Sequence, residues 1–224
     1  MLLPDPEPPL PRLPRVFYQR DTVAVARGLL GQLLVRQLDD GTRVSGLIVE
    51  TEAYLGPEDA AAHTYNHHRS PRNESMWGQA ATAYVYFTYG MHHCVNVVTR
   101  DEHSPQAVLI RALQPVEGHE AMRLRRQSNR QPSPARPLPD TALCSGPAKL
   151  CQALEITRDL DGVDLATNQT LWLELARQRA LPRSAVGVGP RIGIANSGEW
   201  AGKPLRFAVR GNAHVSRPRR FTNP

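Results

Sequence analysis

The sequence predicts an α+β domain built on an antiparallel sheet, and three observations carry that prediction. Apolar, β-branched runs are joined at short range by turn residues, Asp39-Asp40-Gly41 in one place and Gly90 in another, as hairpins require. Helical patterns over 22–30, 116–126 and 146–154 do not alternate with those runs in the order of a parallel βαβ array. Neither a phosphate loop ending in lysine nor a dinucleotide-binding glycine fingerprint is present, so nucleotide-driven chemistry has no support.

The elements follow in chain order. Pro4, Pro6, Pro8, Pro9, Pro11 and Pro14 predict a loose, extended tail over residues 1–15. Asp21 caps a helix from Thr22 to Leu30, and Gly31 supplies its left-handed stop. A strand through Leu33 and Val35 turns at Asp39-Asp40-Gly41 into a second strand, Arg43 to Tyr54. Tyr84 to Tyr89 is a third strand, and His93 to Thr99 returns beside it after Gly90. Gln106 to Leu113 is a nearly all-apolar strand. A loop punctuated by Pro132, Pro134, Pro137 and Pro139, expected to be mobile, separates the later helices. Strands at 171–175, 185–194 and 205–209 complete the domain, taken as residues 16–215, and Arg217-Pro218-Arg219-Arg220 opens a basic tail over 216–224.

With 224 residues the chain can bury one sizeable core, and no internal linker divides it. Lys plus Arg is 27 against 21 for Asp plus Glu, a net charge of +6. Only Lys149 and Lys203 are lysines; the other basic residues are arginines, whose planar fork suits phosphate. Such a balance favours polyanionic partners and excludes little. Cys94, Cys144 and Cys151 are an odd number without a pairing pattern, which argues for a reducing compartment. No run is long and apolar enough for a membrane span. The expected location is therefore cytoplasmic, in a bacterial-type cytosol or nucleoid, with no membrane partner.

The chemistry begins in Leu47-Ile48-Val49-Glu50-Thr51-Glu52-Ala53-Tyr54, where a strand's two-residue period puts Glu50, Glu52 and Tyr54 on one face. The two carboxylates stand about 7 Å apart at the backbone, which serves a solvated strand face and an acid–base pair equally well. Arg111 interrupts the apolar run 107–110, and a buried charge there needs a partner. A carboxylate on the Glu52 face would let the pair orient a water. The aromatic group Tyr84-Val85-Tyr86-Phe87-Thr88-Tyr89 ends at a hairpin tip where Tyr89 and Met91 flank Gly90, a place for a wedge into DNA. Asn96 lies among valines and wants a partner, either a base edge or backbone. His63, His67, His68, His92, His93 and Cys94 lack the spacing of a metal site, so neither a metal nor a cofactor is expected. Three functions remain open on these residues: a nucleic-acid hydrolase, a carbohydrate hydrolase with a Glu50/Glu52 pair, and a catalytically silent module that binds DNA or RNA.

Val49-Glu50-Thr51-Glu52-Ala53-Tyr54-Leu55-Gly56-Pro57-Glu58-Asp59, with Ala62-His63, resembles the core motif of the mammalian-type alkyladenine (3-methyladenine) DNA glycosylases. The resemblance continues in order through Ser70-Pro71-Arg72-Asn73, Tyr84-Val85-Tyr86, Tyr89-Gly90-Met91, residues 109–113, Leu143-Cys144-Ser145-Gly146-Pro147 and Gly198-Glu199-Trp200. It implies a single mixed domain with a curved antiparallel sheet, flanking helices and a protruding DNA-inserting β-hairpin. It also implies a monomeric, monofunctional hydrolase that flips and excises alkylated or deaminated purines from double-stranded DNA during base excision repair: 3-methyladenine, with 7-methylguanine and hypoxanthine as further substrates. By the same resemblance Glu52 is the general base, and Arg111 with the backbone carbonyl of Ile194 holds its water. Tyr54, His63 and Tyr86 wall the base pocket, and Asn96 is its gatekeeper. Tyr89, with Met91 beside it, replaces the flipped base, while Arg72 and Lys149 contact the backbone. The chain departs from the family pattern at Ala148, at His92 and His93, and at Ala195-Asn196-Ser197.

Overall fold

The computed structural model describes residues 10–88, 90–101, 103–128, 136–219 and 221–222. Tyr89 and the prolines at 132 and 134 lie outside the described residues. The elements run α1 (Arg15–Tyr18), α2 (Thr22–Gly28), β1 (Leu33–Gln37), β2 (Arg43–Tyr54), β3 (Ala83–Thr88), β4 (His92–Thr99) and β5 (Gln106–Glu117). They continue with α3 (His119–Ser128), α4 (Asp140–Leu143), α5 (Pro147–Leu154), β6 (Leu171–Glu174), β7 (Val186–Gly189) and β8 (Arg206–Val209).

Every strand pair is antiparallel, and the sheet curls into half a barrel in the order β3-β4-β5-β2-β1-β6. Strand β2 organises it. One edge pairs with β5 along nearly its whole length, while the other pairs first with β1 and then, at Glu50–Glu52, with β8, which carries β7. An α+β domain with an antiparallel sheet is thus what the chain forms. The core packs α2, α3 and α5 against the sheet through Leu29, Leu30, Ile48, Ile110, Met122 and Leu150, all fully buried. The Asp21 carboxylate accepts from the Ala24 N–H at 3.0 Å and so caps α2, satisfying one of the donors a helix start leaves free.

The pairing of β2 with β5 shifts register at three places, one at its far end, where Val116 is skipped between the Ser45 to Glu117 and Gly46 to Pro115 pairs, and two beside the acids. Val49 is the extra residue on β2, between the Ile48 to Leu113 and Glu50 to Ala112 pairs; Arg111 is the extra residue on β5, between Ala112 and Ile110. A bulge re-aims the side chain it carries. The functional consequence is that Arg111 meets both acids of β2.

Four expectations are corrected. The helix expected from Val116 starts at His119, because β5 runs on through Pro115 to Glu117 and Gly118, at φ 75°, makes the turn. The strand expected over 185–194 ends at Gly189; Pro190 has no N–H for a ladder, and Gly193 at φ 81° bends the chain into a loop. The loose tail expected through residue 15 does not extend over 10–15. Leu13 is buried and its N–H donates to the Leu173 carbonyl at 2.9 Å, while the Leu175 N–H donates to Pro11 at 2.7 Å. Prolines are compatible with such an edge, where only alternate groups pair. At the other end Ser216 is buried, and Thr222 bridges Val188, so 216–222 also belongs to the folded body apart from Arg220, which lies outside the described residues.

Candidate active site

Both acids of β2 are fully buried, with 0% of their surface exposed. Their surroundings differ. Glu50 accepts from Arg206 Nε at 2.6 Å, from the Ser216 N–H at 2.8 Å and from Ser216 Oγ at 3.0 Å, and Arg111 Nε lies 3.3 Å away. Glu52 accepts from Tyr54 Oη at 2.9 Å and Arg111 Nη1 at 3.1 Å on Oε2, and from the Ile192 N–H at 2.8 Å on Oε1. A carboxylate has about four acceptor positions, so Glu52 keeps one, on Oε1. The two arginines and two glutamates balance in charge. Burial works against the Arg111 cation, but Glu52 and Glu50 outweigh it and raise its pKa.

The partners of Glu52 line a cavity of about 660 Å³. Tyr54, His63, Tyr86, Asn96, Arg111 and Ile194, all singled out from the sequence, share its wall. The volume is in the range of small-molecule sites. His63 and Tyr86 meet edge to face with ring centroids 4.7 Å apart, and the Tyr84 ring lies 5.3 Å from Tyr86. His63 Nδ1 is 2.7 Å from the Tyr84 hydroxyl. Desolvation, with Arg72 and His68 adding to it, lowers the His63 pKa, so the ring is neutral at neutral pH. Burial raises the pKa of Tyr54 and Tyr86, which keeps both hydroxyls protonated as donors. Asn96 donates its amide to the Tyr84 carbonyl at 3.0 Å and retains a second N–H and its oxygen. The Ile194 carbonyl accepts from the Ser197 N–H at 3.1 Å and has one lone pair left.

The remaining candidates lie apart. Arg72 donates to the Phe87 carbonyl at 2.7 Å near the end of the β3–β4 hairpin, and Met91 is exposed at its tip. Lys149 is exposed on the first turn of α5, 3.5 Å from Ser145 Oγ. Tyr89, between Thr88 and Gly90, lies outside the described residues. Among the described residues no three His, Cys, Asp or Glu side chains gather as a metal site, and no helix is long and apolar enough to cross a membrane.

The comparison with known proteins falls on the same stretch of chain. Residues 16–213 match the family model described as methylpurine-DNA glycosylase. The chain belongs to that family. It is 48% identical over 211 residues to the DNA-3-methyladenine glycosylase of Mus musculus, covering 94% of this chain and 63% of the mouse protein. The protein of the same description from Homo sapiens is 47% identical over 211 residues, with 94% and 70% covered. A Bacillus cereus relative is 45% identical over 206 residues, and that match covers 91% of this chain and 98% of the relative. The family expected from the Glu52 motif is the one found.

Membership does not supply everything the methylpurine-DNA glycosylase fold places around Glu52. Asp59 and Arg191 form a fully buried ion pair that sequence reasoning did not anticipate. Arg191 Nη2 donates to Asp59 Oδ1 at 2.8 Å and Nη1 donates to the Ala53 carbonyl at 2.9 Å, with the guanidinium 4.6 Å above the Tyr54 ring. Asp59 also accepts from the Leu55 and Ala61 N–H groups, both at 3.0 Å. The pair therefore ties the turn after β2 to the 190–197 loop, which delivers the Ile192 N–H to Glu52. Arg206 and Ser216, the partners of Glu50, were likewise not foreseen. Asp59 stood inside the recognised motif and offered a signal; Arg191, 132 residues away, gave none.

Proposed function

We propose that the chain is a monofunctional DNA glycosylase that turns an alkylated or deaminated purine out of double-stranded DNA and hydrolyses its bond to deoxyribose. Family membership supports a hydrolase of N-glycosyl bonds working in DNA repair. The observation that carries the reading is the state of Glu52: buried, ionically held, and left with one acceptor position beside an aromatic cavity.

That acceptor takes a proton from a water, and the Ile194 carbonyl accepts the water's other hydrogen. Arg111, Tyr54 and the Ile192 N–H fix the carboxylate during the attack. The same carboxylate stabilises the oxocarbenium character that develops on the sugar as the bond breaks. A 3-methylated adenine already carries positive charge and leaves without protonation. Tyr54, Tyr86 and a neutral His63 stack with that cation and add no competing charge. Hypoxanthine is neutral and needs a proton from elsewhere, so 3-methyladenine is the faster substrate, with 7-methylguanine also cationic. Asn96 discriminates at the position of guanine's amino group. Tyr89 fills the gap left by the extruded nucleotide, and Met91, Arg72 and Lys149 hold the duplex. The enzyme acts as a monomer in the bacterial-type cytosol or nucleoid.

A carbohydrate hydrolase would need Glu50 as the second catalytic acid. Both Glu50 oxygens are engaged by Arg206 and Ser216, which leaves no free acid for that role. The test of the proposal is to incubate the chain with methylated DNA and with a duplex holding one hypoxanthine, and to measure released base. Release from methylated DNA is expected; no release from either substrate removes the proposal. Binding of lesion DNA without release would identify a silent module.

A further inference from the structure

The 190–197 loop supplies the Ile192 N–H that donates to Glu52 at 2.8 Å and the Ile194 carbonyl of the cavity wall. Its own backbone gives these groups little stiffness. Gly193, at φ 81°, separates the two peptide groups, Gly198, at φ 57°, follows the loop, and Gly193, Ala195 and Asn196 are exposed. What holds the loop is the next turn, Gly198–Gly202, which contains the Gly198-Glu199-Trp200 block that no step of the reaction uses.

A run of backbone hydrogen bonds passes through that turn to β2. The Ser197 N–H donates to the Ile194 carbonyl at 3.1 Å, the Trp200 N–H to the Ser197 carbonyl at 3.1 Å and the Lys203 N–H to the Trp200 carbonyl at 3.3 Å. The Leu205 N–H then donates to the Lys203 carbonyl at 2.9 Å, and the Ala53 N–H, next to Glu52, to the Leu205 carbonyl at 2.8 Å. Of the described residues 197–204, Trp200 is the one whose side chain packs against the main core. Its ring lies 6.0 Å from the Arg191 guanidinium, which is 4.6 Å from the Tyr54 ring, and Lys203 Nζ stands 3.3 Å from its centre. Arg191 is buried and its Nε makes no hydrogen bond, so Asp59, the Ala53 carbonyl and these two rings set where the residue before Ile192 sits.

We infer that Trp200 is a positioning residue for base release. It does not line the base cavity; it acts through Arg191 and the backbone run to hold the Ile192 N–H and the Ile194 carbonyl in place around the attacking water. This rests on the glycosylase reading. Without the ring the loop loses its attachment to the core at this turn, the Ile192 N–H leaves Glu52 for part of the time, and the water is held in the attacking position less often. Substrate binding depends on the pocket walls and the duplex contacts and is left alone.

Two measurements on the full chain test this, each on the native chain, Trp200→Leu and Trp200→Phe. The first needs no DNA. The Ile192 amide proton, held against a carboxylate, should move upfield in Trp200→Leu, and its hydrogen exchange should speed by about tenfold or more relative to the amides of β5. Phenylalanine keeps an aromatic ring beside Arg191 and should give values between the two. An Ile192 amide unchanged in Trp200→Leu overturns the inference, and so does exchange that speeds equally at Ile192 and across β5, which is general loss of stability. The second is single-turnover release of base from methylated duplex DNA at saturating protein, with duplex affinity measured alongside. The rate should fall about 10–100-fold in Trp200→Leu and about threefold in Trp200→Phe, with affinity within about twofold of native. A native rate, or a loss matched by weaker duplex binding, overturns the inference. Should Trp200→Leu not fold, Trp200→Phe decides by the same two readouts, and native values in both overturn it. A native chain that releases no base removes the glycosylase reading instead, and the Ile192 amide alone then decides whether Trp200 holds the loop.

Discussion

Replacing Glu50 by glutamine should destabilise the fold far more than an isosteric change on a surface strand. Glu50 and Glu52 face Arg111 and Arg206 in a buried, charge-balanced group, and Glu50 accepts from Arg206 Nε at 2.6 Å and from Ser216 N at 2.8 Å. Glutamine leaves two buried guanidinium groups with one carboxylate and turns an N–H₂ toward either Arg206 Nε or the Ser216 N–H, neither of which can accept. The gross attraction of one such contact at about 3 Å is roughly 5 kcal/mol at an effective dielectric of about 20, most of it offset by desolvation. Removing one partner of a buried pair leaves the desolvation uncompensated and costs about 3–5 kcal/mol. With a urea slope of about 2.5 kcal/mol/M, that lowers the midpoint by roughly 1–2 M. The assay is urea unfolding of Glu50→Gln, Arg206→Leu and the double variant. The double variant should lose much less than the two single losses added together. A Glu50→Gln midpoint within about 0.3 M of native would refute the reasoning that the contacts of Glu50 with these arginines hold the fold together.

Three further outcomes follow from the same geometry. Asp59→Asn should lower the single-turnover rate of base release by about 10–100-fold, with kcat falling more than KM, because the 190–197 loop no longer fixes the Ile192 N–H on Glu52; a loss of thermal stability alone would contradict a positioning role. His63 has a lowered pKa, so its contribution to stability is complete above its ordinary value of about 6.5 and is lost as pH falls through the lowered value. Release of cationic 3-methyladenine, normalised to its rate at neutral pH, should fall further on acidification in the native chain than in His63→Gln, and superimposable profiles would count against the neutral-ring account. Leu13→Ala should cost about 2–5 kcal/mol in unfolding free energy, as expected for a buried leucine, whereas a residue in a loose tail would cost nothing measurable.

What the sequence disclosed was local. The hairpin turn at Asp39-Asp40-Gly41 and the apolar run after it set the ends of β2 correctly, and period two put Glu50, Glu52 and Tyr54 together. The same period could not separate the acids, since that depends on Arg206 and Ser216, more than 150 residues from Glu50. Arg111 was legible as a charge in want of a partner, and Glu52 meets it at 3.1 Å. The bulge that aims it leaves no mark in composition. Proline misled at the N-terminal end: Pro11 and Pro14 flank a buried Leu13 paired through its backbone. There packing against the core outweighed the local preference for an open chain.

The central claim is that Glu52 activates the water that releases the base. The most direct measurement is single-turnover release of 3-methyladenine from methylated duplex DNA by native chain and by Glu52→Gln, each at saturating concentration and checked for duplex binding. Glutamine keeps the shape of the side chain but cannot take a proton from water, so binding should persist while the rate falls by about 10²–10⁴-fold. Release by Glu52→Gln at the native rate would contradict the claim.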